Sequence, residues 1–209
     1  MVPKSKRFLI AFEGIDGSGK TTQIILLKEE LDRLLYQTLI TKAKKPSQET
    51  AFKKFLKTFE IASDSLSYMF LYQALHRKQF EKTVAALENG NIVLADRWSG
   101  SFFVYHLNFG PLSKGPREHV ALLNTLAFEN LKPDMTFLLD VPPQIAFERR
   151  VRRGETDTFD ADTVCFYEAV HEKCRAFAEE NGWIVIDGTL PIETIHRQIW
   201  DMVSEKLGQ

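Results

Sequence analysis

Short apolar runs alternate along this chain with longer stretches in which apolar residues recur at helical spacing. A short, continuous apolar run is typical of a strand that is buried on both faces, and parallel sheets are built from such strands. Strands that alternate with helical stretches indicate an α/β fold in which helices connect the strands. The pattern therefore predicts a parallel sheet with strands at Phe8–Phe12, Thr38–Thr41, Ile92–Ala95, Met135–Leu139 and Trp183–Ile186.

Helical stretches fill the intervals between these strands. The first carries Ile24, Leu27, Leu31 and Leu34 close to the helical period. Gly90 closes the longest stretch, as glycine commonly does just after a helix. The predicted helices are Thr21–Leu35, Ser47–Phe59, Ser65–Asn89, Arg117–Asn130, Pro143–Arg152, Asp162–Glu180 and Ile192–Leu207.

Composition narrows the class of protein. With 209 residues, 44% hydrophobic and 26% charged, the chain is globular and is expected to form one domain, residues 1–209. A formal net charge of −1 gives no general basic surface, so we expect no nucleic-acid partner. No apolar run reaches the roughly 18 residues that span a bilayer, so we expect no membrane partner. Cys165 and Cys174 match neither a disulfide framework nor a zinc pattern, which favours a cytoplasmic protein.

A glycine-rich segment follows the first predicted strand and opens the first predicted helix. Residues 14–21 match the phosphate-binding pattern G-x-x-x-x-G-K-[ST] in full. Glycines let the main chain curl so that several N–H groups point at one phosphate, and the helix N-terminus adds positive potential. We therefore predict that ATP phosphates bind at Gly14, Ile15, Asp16, Gly17, Ser18, Gly19, Lys20, Thr21 and Thr22.

The third predicted strand ends in a carboxylate, Asp96. In phosphate-loop proteins such a carboxylate lies beside the loop, and together with the loop hydroxyl it holds the magnesium ion that accompanies ATP. We therefore predict that Thr21 and Asp96 hold Mg²⁺ with ATP.

Other segments separate the classes of nucleotide protein. A GTPase would need a guanine-reading Asn-Lys-x-Asp segment, and the nearest string, residues 130–134, does not fit. Deoxynucleoside kinases use a carboxylate just after the second strand, whereas here none occurs before Glu49. The chain length and the arginine-rich residues 149–153 favour a small kinase that excludes water beneath a lid.

The sequence resembles the thymidylate kinases, a family of P-loop nucleoside monophosphate kinases, over nearly its whole length. The phosphate loop is common to many kinases. Two other motifs are more specific to this family: Asp-Arg-aromatic at the end of the third strand and Lys-Pro-Asp just before the fourth strand. The matching segments are residues 12–23, Ala95-Asp96-Arg97-Trp98 followed by Ser101 and Tyr105, residues 132–141, Arg153-Gly154-Glu155 and residues 185–189.

The resemblance implies a five-stranded parallel sheet flanked by helices on both faces, a short lid and a homodimer. It also implies transfer of the ATP γ-phosphoryl to dTMP, giving dTDP for dTTP biosynthesis. By matching position, Lys20 binds the donor phosphates, Arg97 holds the acceptor's monophosphate, and Asp16 contacts the acceptor sugar or the nearby metal shell. Tyr105 crowds the 2′ side of that sugar. The implied acceptor-binding set is Asp16, Lys44, Tyr72, His76, Arg97, Ser101 and Tyr105.

The same resemblance implies a basic lid over residues 149–160. Because Gly17 leaves the phosphate loop without an arginine, the lid is expected to supply that charge. Helical spacing favours an outward direction for Arg150. The lid candidates are Arg149, Arg152 and Arg153, and Arg153 joins Lys20, Arg97 and Asp16 as the implied catalytic set.

The acceptor side departs from the family pattern at three places. Two of them concern the residues that read the base. A base edge that faces phenyl rings loses its hydrogen-bond partners, at about 1–3 kcal/mol for each buried donor. The departures are Lys44 and Lys45 for an arginine and a glutamate, Tyr72 and His76 for a phenylalanine and an arginine, and Phe102 and Phe103 for a polar pair.

Three functions stay open on the sequence. The first is a dTMP kinase. The second is a kinase of the same fold that acts on a different nucleoside monophosphate, because the base-reading residues are altered. The third is a non-catalytic protein that uses ATP to order its lid, and the charged residues of the loop and of the third strand argue against it.

Overall fold

The computed structural model describes residues 5–62, 65–108, 112–154 and 161–208. In it, five parallel strands form one sheet in the order β2-β3-β1-β4-β5. The predicted fold class, a P-loop kinase fold with a parallel sheet between helices, is confirmed. The strands are β1 Phe8–Glu13, β2 Thr38–Thr41, β3 Ile92–Asp96, β4 Met135–Asp140 and β5 Ile184–Asp187.

Strands β1 and β3, which are neighbours in this sheet, are buried along their entire length. β1 and β3 pair in register from Phe8 opposite Ile92 to Phe12 opposite Asp96. Because parallel strands end at the same edge, this register brings the carboxylate that ends β3 beside the segment that follows β1. The sheet therefore forms the phosphate site at its carboxyl edge.

Helices cover both faces of the sheet. Residues of β1 alternate between them, with Ile10 packed on the side of α1 and α8 and Leu9 on the side of α3 and α5. None of the helices in the described residues is long and apolar enough to cross a membrane. The helices are α1 Lys20–Arg33, α2 Glu49–Thr58, α3 Leu66–Glu88, α4 Ser99–Asn108, α5 Arg117–Phe128, α6 Pro143–Arg152, α7 Ala161–Glu180 and α8 Ile192–Leu207, with a 3₁₀ turn at Pro46–Gln48 before α2.

The sequence prediction missed α4. This helix begins Ser-Gly-Ser and continues with aromatic and β-branched residues, a composition with weak helix propensity. Two N–H groups at its start donate to a side chain from β1: Trp98 and Ser101 reach Glu13 Oε1 at 2.9 and 3.3 Å. Since a helix start leaves its N–H groups without partners inside the helix, this distant carboxylate stabilises an element that local sequence does not predict.

Candidate active site

The glycine loop between β1 and α1 has the backbone that its sequence predicts. Gly14, Gly17 and Gly19 adopt φ values of 136°, 93° and 100°. A Cβ on Gly17 would lie 2.2 Å from the carbonyl oxygen of Ala146 in α6, so a larger residue would push that helix away. The loop therefore closes tightly before the N-terminus of α1 and can present its amides to a phosphate.

Lys20 lies buried at the centre of this loop. Its Nζ donates to the carbonyl oxygens of Gly14 and Ile15 at 2.9 and 2.8 Å. Burial, with repulsion from Arg97, lowers the pKa of Lys20 to about 8. This ammonium is poorly solvated and would gain strongly from a phosphate oxygen.

Asp96 lies beside the loop, where the sheet register places it. Its Oδ2 accepts hydrogen bonds from Thr21 Oγ1 at 3.2 Å and from Lys42 Nζ at 2.8 Å. Although burial opposes ionisation, Lys20 and Lys42 hold the pKa of Asp96 below its usual value. Its Oδ1 is buried and has no hydrogen-bond partner within the described part of the chain. No role was predicted for Lys42 from the sequence, although a lysine directly after a parallel strand is expected to lie at the same edge of the sheet as the phosphate loop.

Arg97 follows β3 and spans the gap to the phosphate loop. Its backbone is in the left-handed region, with φ of 69°, a conformation that costs free energy for a residue with a side chain. Its Nη2 donates to Asp16 Oδ1 at 2.6 Å and its Nη1 to Ser101 Oγ at 3.0 Å. The guanidinium holds the pKa of Asp16 well below its usual value. Tyr105 completes the group, its ring centroid 5.9 Å from the guanidinium carbon.

Glu13, the last residue of β1, was given no role by sequence analysis. It is buried, and its Oε2 accepts the hydroxyl hydrogen of Ser101. Burial raises its pKa, while Arg97 and the bonds from Ser101 and Trp98 oppose that rise. A carboxylate at the end of an otherwise apolar, buried strand could have indicated a functional residue at this position.

The described part of the predicted lid is the end of α6 and the turn after it. Arg150 is buried, with Nη1 3.3 Å from the hydroxyl of Tyr167, so the expected outward direction was wrong. Arg152 is exposed and pairs with Glu148 at 3.5 Å. Arg149 is half-buried, and Arg153 is exposed just past the helix end. Residues 155–160 of the predicted lid lie outside the described residues.

Lys44, which follows β2, and Tyr72 of α3 lie close to each other. Lys44 Nζ is 2.6 Å from Glu49 Oε2 and 5.7 Å from the Tyr72 ring centroid. Tyr72 also contacts the rings of Phe52 and Tyr68, with centroids 5.6 and 5.0 Å away. The structure thus brings two predicted acceptor residues into one aromatic cluster.

His76 lies deeper than these residues. Its Nδ1 is 2.9 Å from Gln73 Oε1, and its ring is 5.4 Å from Phe128 and 6.0 Å from Phe102. Burial, with His106 and Arg97, lowers its pKa to about 3. The imidazole is therefore neutral and packed among core side chains.

A cavity of about 550 Å³ lies at the opposite edge of the sheet, where β4 and β5 begin. Its lining includes Phe103, Asn124, Phe177 and Trp183. Its position separates it from the glycine loop at the carboxyl edge.

A glycine loop with a buried lysine, a strand-end carboxylate beside it and an arginine bound across to the loop define a P-loop phosphotransferase. A sequence model of the thymidylate kinase family matches residues 12–199. The chain belongs to the thymidylate kinase family.

Individual relatives agree with this assignment. The thymidylate kinase of Pelobacter propionicus is 35% identical, over 92% of this chain and 91% of its own. That of Fervidobacterium nodosum is 34% identical, over 91% of this chain and 95% of its own. The crystal structure of the Ehrlichia chaffeensis thymidylate kinase superposes with a TM-score of 0.68 at 25% identity, covering 95% of this chain and 99% of that one. The resemblance that the sequence motifs indicated is thus confirmed.

Proposed function

We propose that this enzyme transfers the γ-phosphoryl group of ATP to dTMP and releases dTDP and ADP. The observation that carries the assignment is the 2.6 Å bond between Arg97 Nη2 and Asp16 Oδ1. Asp16 belongs to the loop that would hold the donor, and Arg97 is the group that would hold the acceptor. Their contact supports the proposal, because it would bring the donor and acceptor phosphates side by side, as a direct transfer requires.

The proposed chemistry needs no general base. The acceptor oxygen belongs to a monophosphate, which is already anionic at neutral pH and needs no deprotonation. The protein must then align the two phosphates and neutralise the charge between them. The loop amides of residues 14–22 would bind the donor phosphates, and Lys20 would reach the transferred group.

The residues beside the loop fit a magnesium ion. Asp96 Oδ1 is buried without a partner in the described residues, and Thr21 Oγ1 lies 3.2 Å from the other oxygen. Carboxylate and hydroxyl oxygens are ligands that Mg²⁺ accepts, and in such enzymes the phosphates supply further ones. We propose that Thr21 and Asp96 hold Mg²⁺ with ATP, where the ion would neutralise β- and γ-phosphate charge.

The acceptor nucleoside would lie between α3 and α4. We propose that Tyr72 stacks on the base and that Lys44 adds positive charge beside it. Ser101 would hold Arg97, Asp16 would face the acceptor sugar, and Tyr105 would crowd its 2′ side. His76, neutral and bound to Gln73, would support the base-binding wall from behind.

Residues 149–160 would form the lid. We propose that Arg153 stabilises the transferred charge when the lid closes, that Arg149 supports the donor phosphates, and that Arg152 belongs to the same segment. Arg150 joins the proposed set because it is buried and its charge helps to lower the pKa of Asp16.

A coupled assay of ADP release over a panel of nucleoside monophosphates tests the proposal. We expect dTMP to give the highest kcat/KM. A tenfold preference for another monophosphate would support the second function considered from sequence, and no turnover with any acceptor despite ATP binding would support the third. In the same assay, Arg97→Ala should raise KM for dTMP far more than KM for ATP.

We propose that the enzyme is a homodimer that pairs through α3 and α5. Four apolar side chains on these neighbouring helices are 43–61% exposed: Leu66, Phe70, Leu122 and Leu126. Arg77 Nη1 of α3 donates to the carbonyl oxygen of Leu126 at 3.3 Å, so the two helices present one surface. Sedimentation should show a dimer for the wild type and a monomer for Leu126→Glu. A monomeric wild type would rule out the dimer, and a dimeric variant would rule out this face.

Two further proposals concern the whole molecule. We propose that residues 1–209 act as one kinase domain, since the sheet and both helical layers contribute to the site. We also propose a cytoplasmic location, supported by the free thiols of Cys165 and Cys174.

A further inference from the structure

Glu13 is a buried charged residue that phosphate binding does not require. The other residues of β1 are apolar, and all six are buried. Burying a carboxylate destabilises the fold unless donors surround it, and an apolar residue would suit a purely structural strand better. Its presence calls for a role that an apolar side chain could not fill.

The donors around Glu13 all come from the segment that carries the acceptor residues. Oε1 accepts from the backbone N–H groups of Trp98 and Ser101, and Oε2 accepts from the Ser101 hydroxyl. The same hydroxyl oxygen accepts from Arg97 Nη1 at 3.0 Å. A chain of hydrogen bonds therefore runs from Glu13 through Ser101 to Arg97, which ends at Asp16.

We propose that Glu13 is a positioning residue for the phosphoryl acceptor, which it serves by fixing the Ser101 hydroxyl, the Arg97 guanidinium and the first turn of α4 together. The inference rests on the proposed function, because it takes Arg97 as the group that holds the acceptor's monophosphate. Glu13 itself does not need to touch the nucleotide.

Orientation matters here because a guanidinium is a planar fork. It binds a phosphate well only when its plane is aligned, unlike an ammonium group. Arg97 has a left-handed backbone with φ of 69°, a costly conformation that the surrounding structure must hold in place. Bonds at Nη1 and Nη2 hold the plane in place, and a guanidinium has five N–H donors, more than these two bonds use.

A second contact holds the same turn from behind. Gly100 has no side chain, and a Cβ there would lie 2.1 Å from the ring of Trp183 and 3.2 Å from Glu13 Oε1. The first turn of α4 is therefore clamped between the carboxylate and the indole. Loosening the carboxylate side should move Ser101 and Arg97 together.

Two single variants and their double test the proposal. Glu13→Gln keeps the side-chain size and one oxygen for the backbone donors but replaces the oxygen that accepts the Ser101 hydroxyl. Ser101→Ala removes the middle of the chain. Steady-state kinetics gives KM for dTMP and KM for ATP. Calorimetry without ATP gives the dissociation constant of dTMP. Glu205→Gln, an exposed carboxylate on α8, is the matched control.

We expect each single variant to raise the dTMP dissociation constant about tenfold or more and the ATP KM less than twofold. The double variant should be little worse than either single variant, because both break one chain. Equal changes in the dTMP and ATP constants, or two independent effects that multiply, would overturn the proposal. If Glu13→Gln does not fold, a normal dTMP constant in Ser101→Ala alone would also overturn it. A wild type that does not phosphorylate dTMP would instead reject the proposed function.

Discussion

The donor side and the acceptor side of this site are built in different ways. The proposed donor side is one contiguous segment, residues 14–22, and its binding groups would be main-chain amides aligned by glycines. The proposed acceptor side would be assembled from side chains that follow β2 and β3 and from side chains on α3 and α4. A contiguous main-chain site needs a fixed sequence pattern, whereas an assembled site can be rebuilt one side chain at a time. This explains how the family pattern is complete at the loop and altered at His76, Phe102 and Phe103.

The largest expected effect is on the donor side. Lys20→Ala removes the buried ammonium at the centre of the loop, where transition-state charge would develop in the proposed reaction. We expect kcat to fall by about 10³-fold, since loss of a charge that contacts the transferred phosphoryl costs several kcal/mol. Stopped-flow measurement of ADP formation at saturating ATP checks it. Lys28→Ala, at a partly exposed position of the same helix, is the control. A fall of less than tenfold for Lys20→Ala would contradict the role.

A smaller effect on kcat is expected from Arg150, on the helix that leads into the proposed lid. Arg150→Met should lower kcat by about 100-fold, because Arg150 is buried near Asp16 while keeping a fixed bond to Tyr167. Arg152→Met should change kcat less than twofold, since that side chain pairs with Glu148 at the surface. The ratio of the two kcat values is the measurement. A larger loss for Arg152→Met would show that the end of α6 turns when the lid closes.

The acceptor base should depend on Tyr72. Removing its ring with Tyr72→Ala should raise KM for dTMP by about tenfold, because base stacking on an aromatic side chain contributes about 1–3 kcal/mol. KM for ATP should stay within twofold. Phe59→Ala removes an exposed ring just past the end of α2 and serves as the control. An unchanged KM for dTMP in Tyr72→Ala would mean that the base lies elsewhere.

The sequence predicted the elements that depend on local pattern. All five strands, and seven of the eight helices among the described residues, lie where apolar periodicity placed them. The position of Asp96 beside the loop was predicted from a strand that ends in a carboxylate together with the complete phosphate-loop motif, and the register of β1 and β3 agrees with it. Site residues that depend only on this register could therefore be proposed before the structure.

Features that depend on long-range contacts could not be read in this way. Helix α4 has weak propensity and starts on Glu13, which is 86 residues earlier than Ser99. Arg150 turns inward because Tyr167 of the neighbouring α7 binds it, and helical spacing alone does not contain that information. His76 is buried because α5 supplies Phe128 and α4 supplies Phe102 around it. In each case the deciding partner lies on another element.

The smallest expected effect is a loss of folding stability at mildly acidic pH. It depends on a buried group of the acceptor side and not on one of the donor side. The donor side keeps a buried ammonium, whereas the acceptor side keeps a buried neutral imidazole. His76 has a pKa of about 3 in the folded protein, and burial is the main cause. An unfolded chain would protonate it below about pH 6.5, so the unfolded state binds more protons and stability falls as pH decreases. His106, with a pKa lowered by burial to about 4, adds to the same trend.

Urea unfolding at pH 7.5 and pH 5.5 measures this loss. From His76 alone we expect about 1.4 kcal/mol less stability at the lower pH, since one pH unit below the unfolded pKa is worth that amount. The glutamine in His76→Gln cannot titrate and retains a polar group for Gln73. The loss of unfolding free energy between pH 7.5 and pH 5.5 should therefore be smaller in this variant than in the wild type by this amount. An identical pH dependence in both proteins would mean that the imidazole is solvated and accessible to protons, and the acceptor wall would then be open where the structure shows it packed.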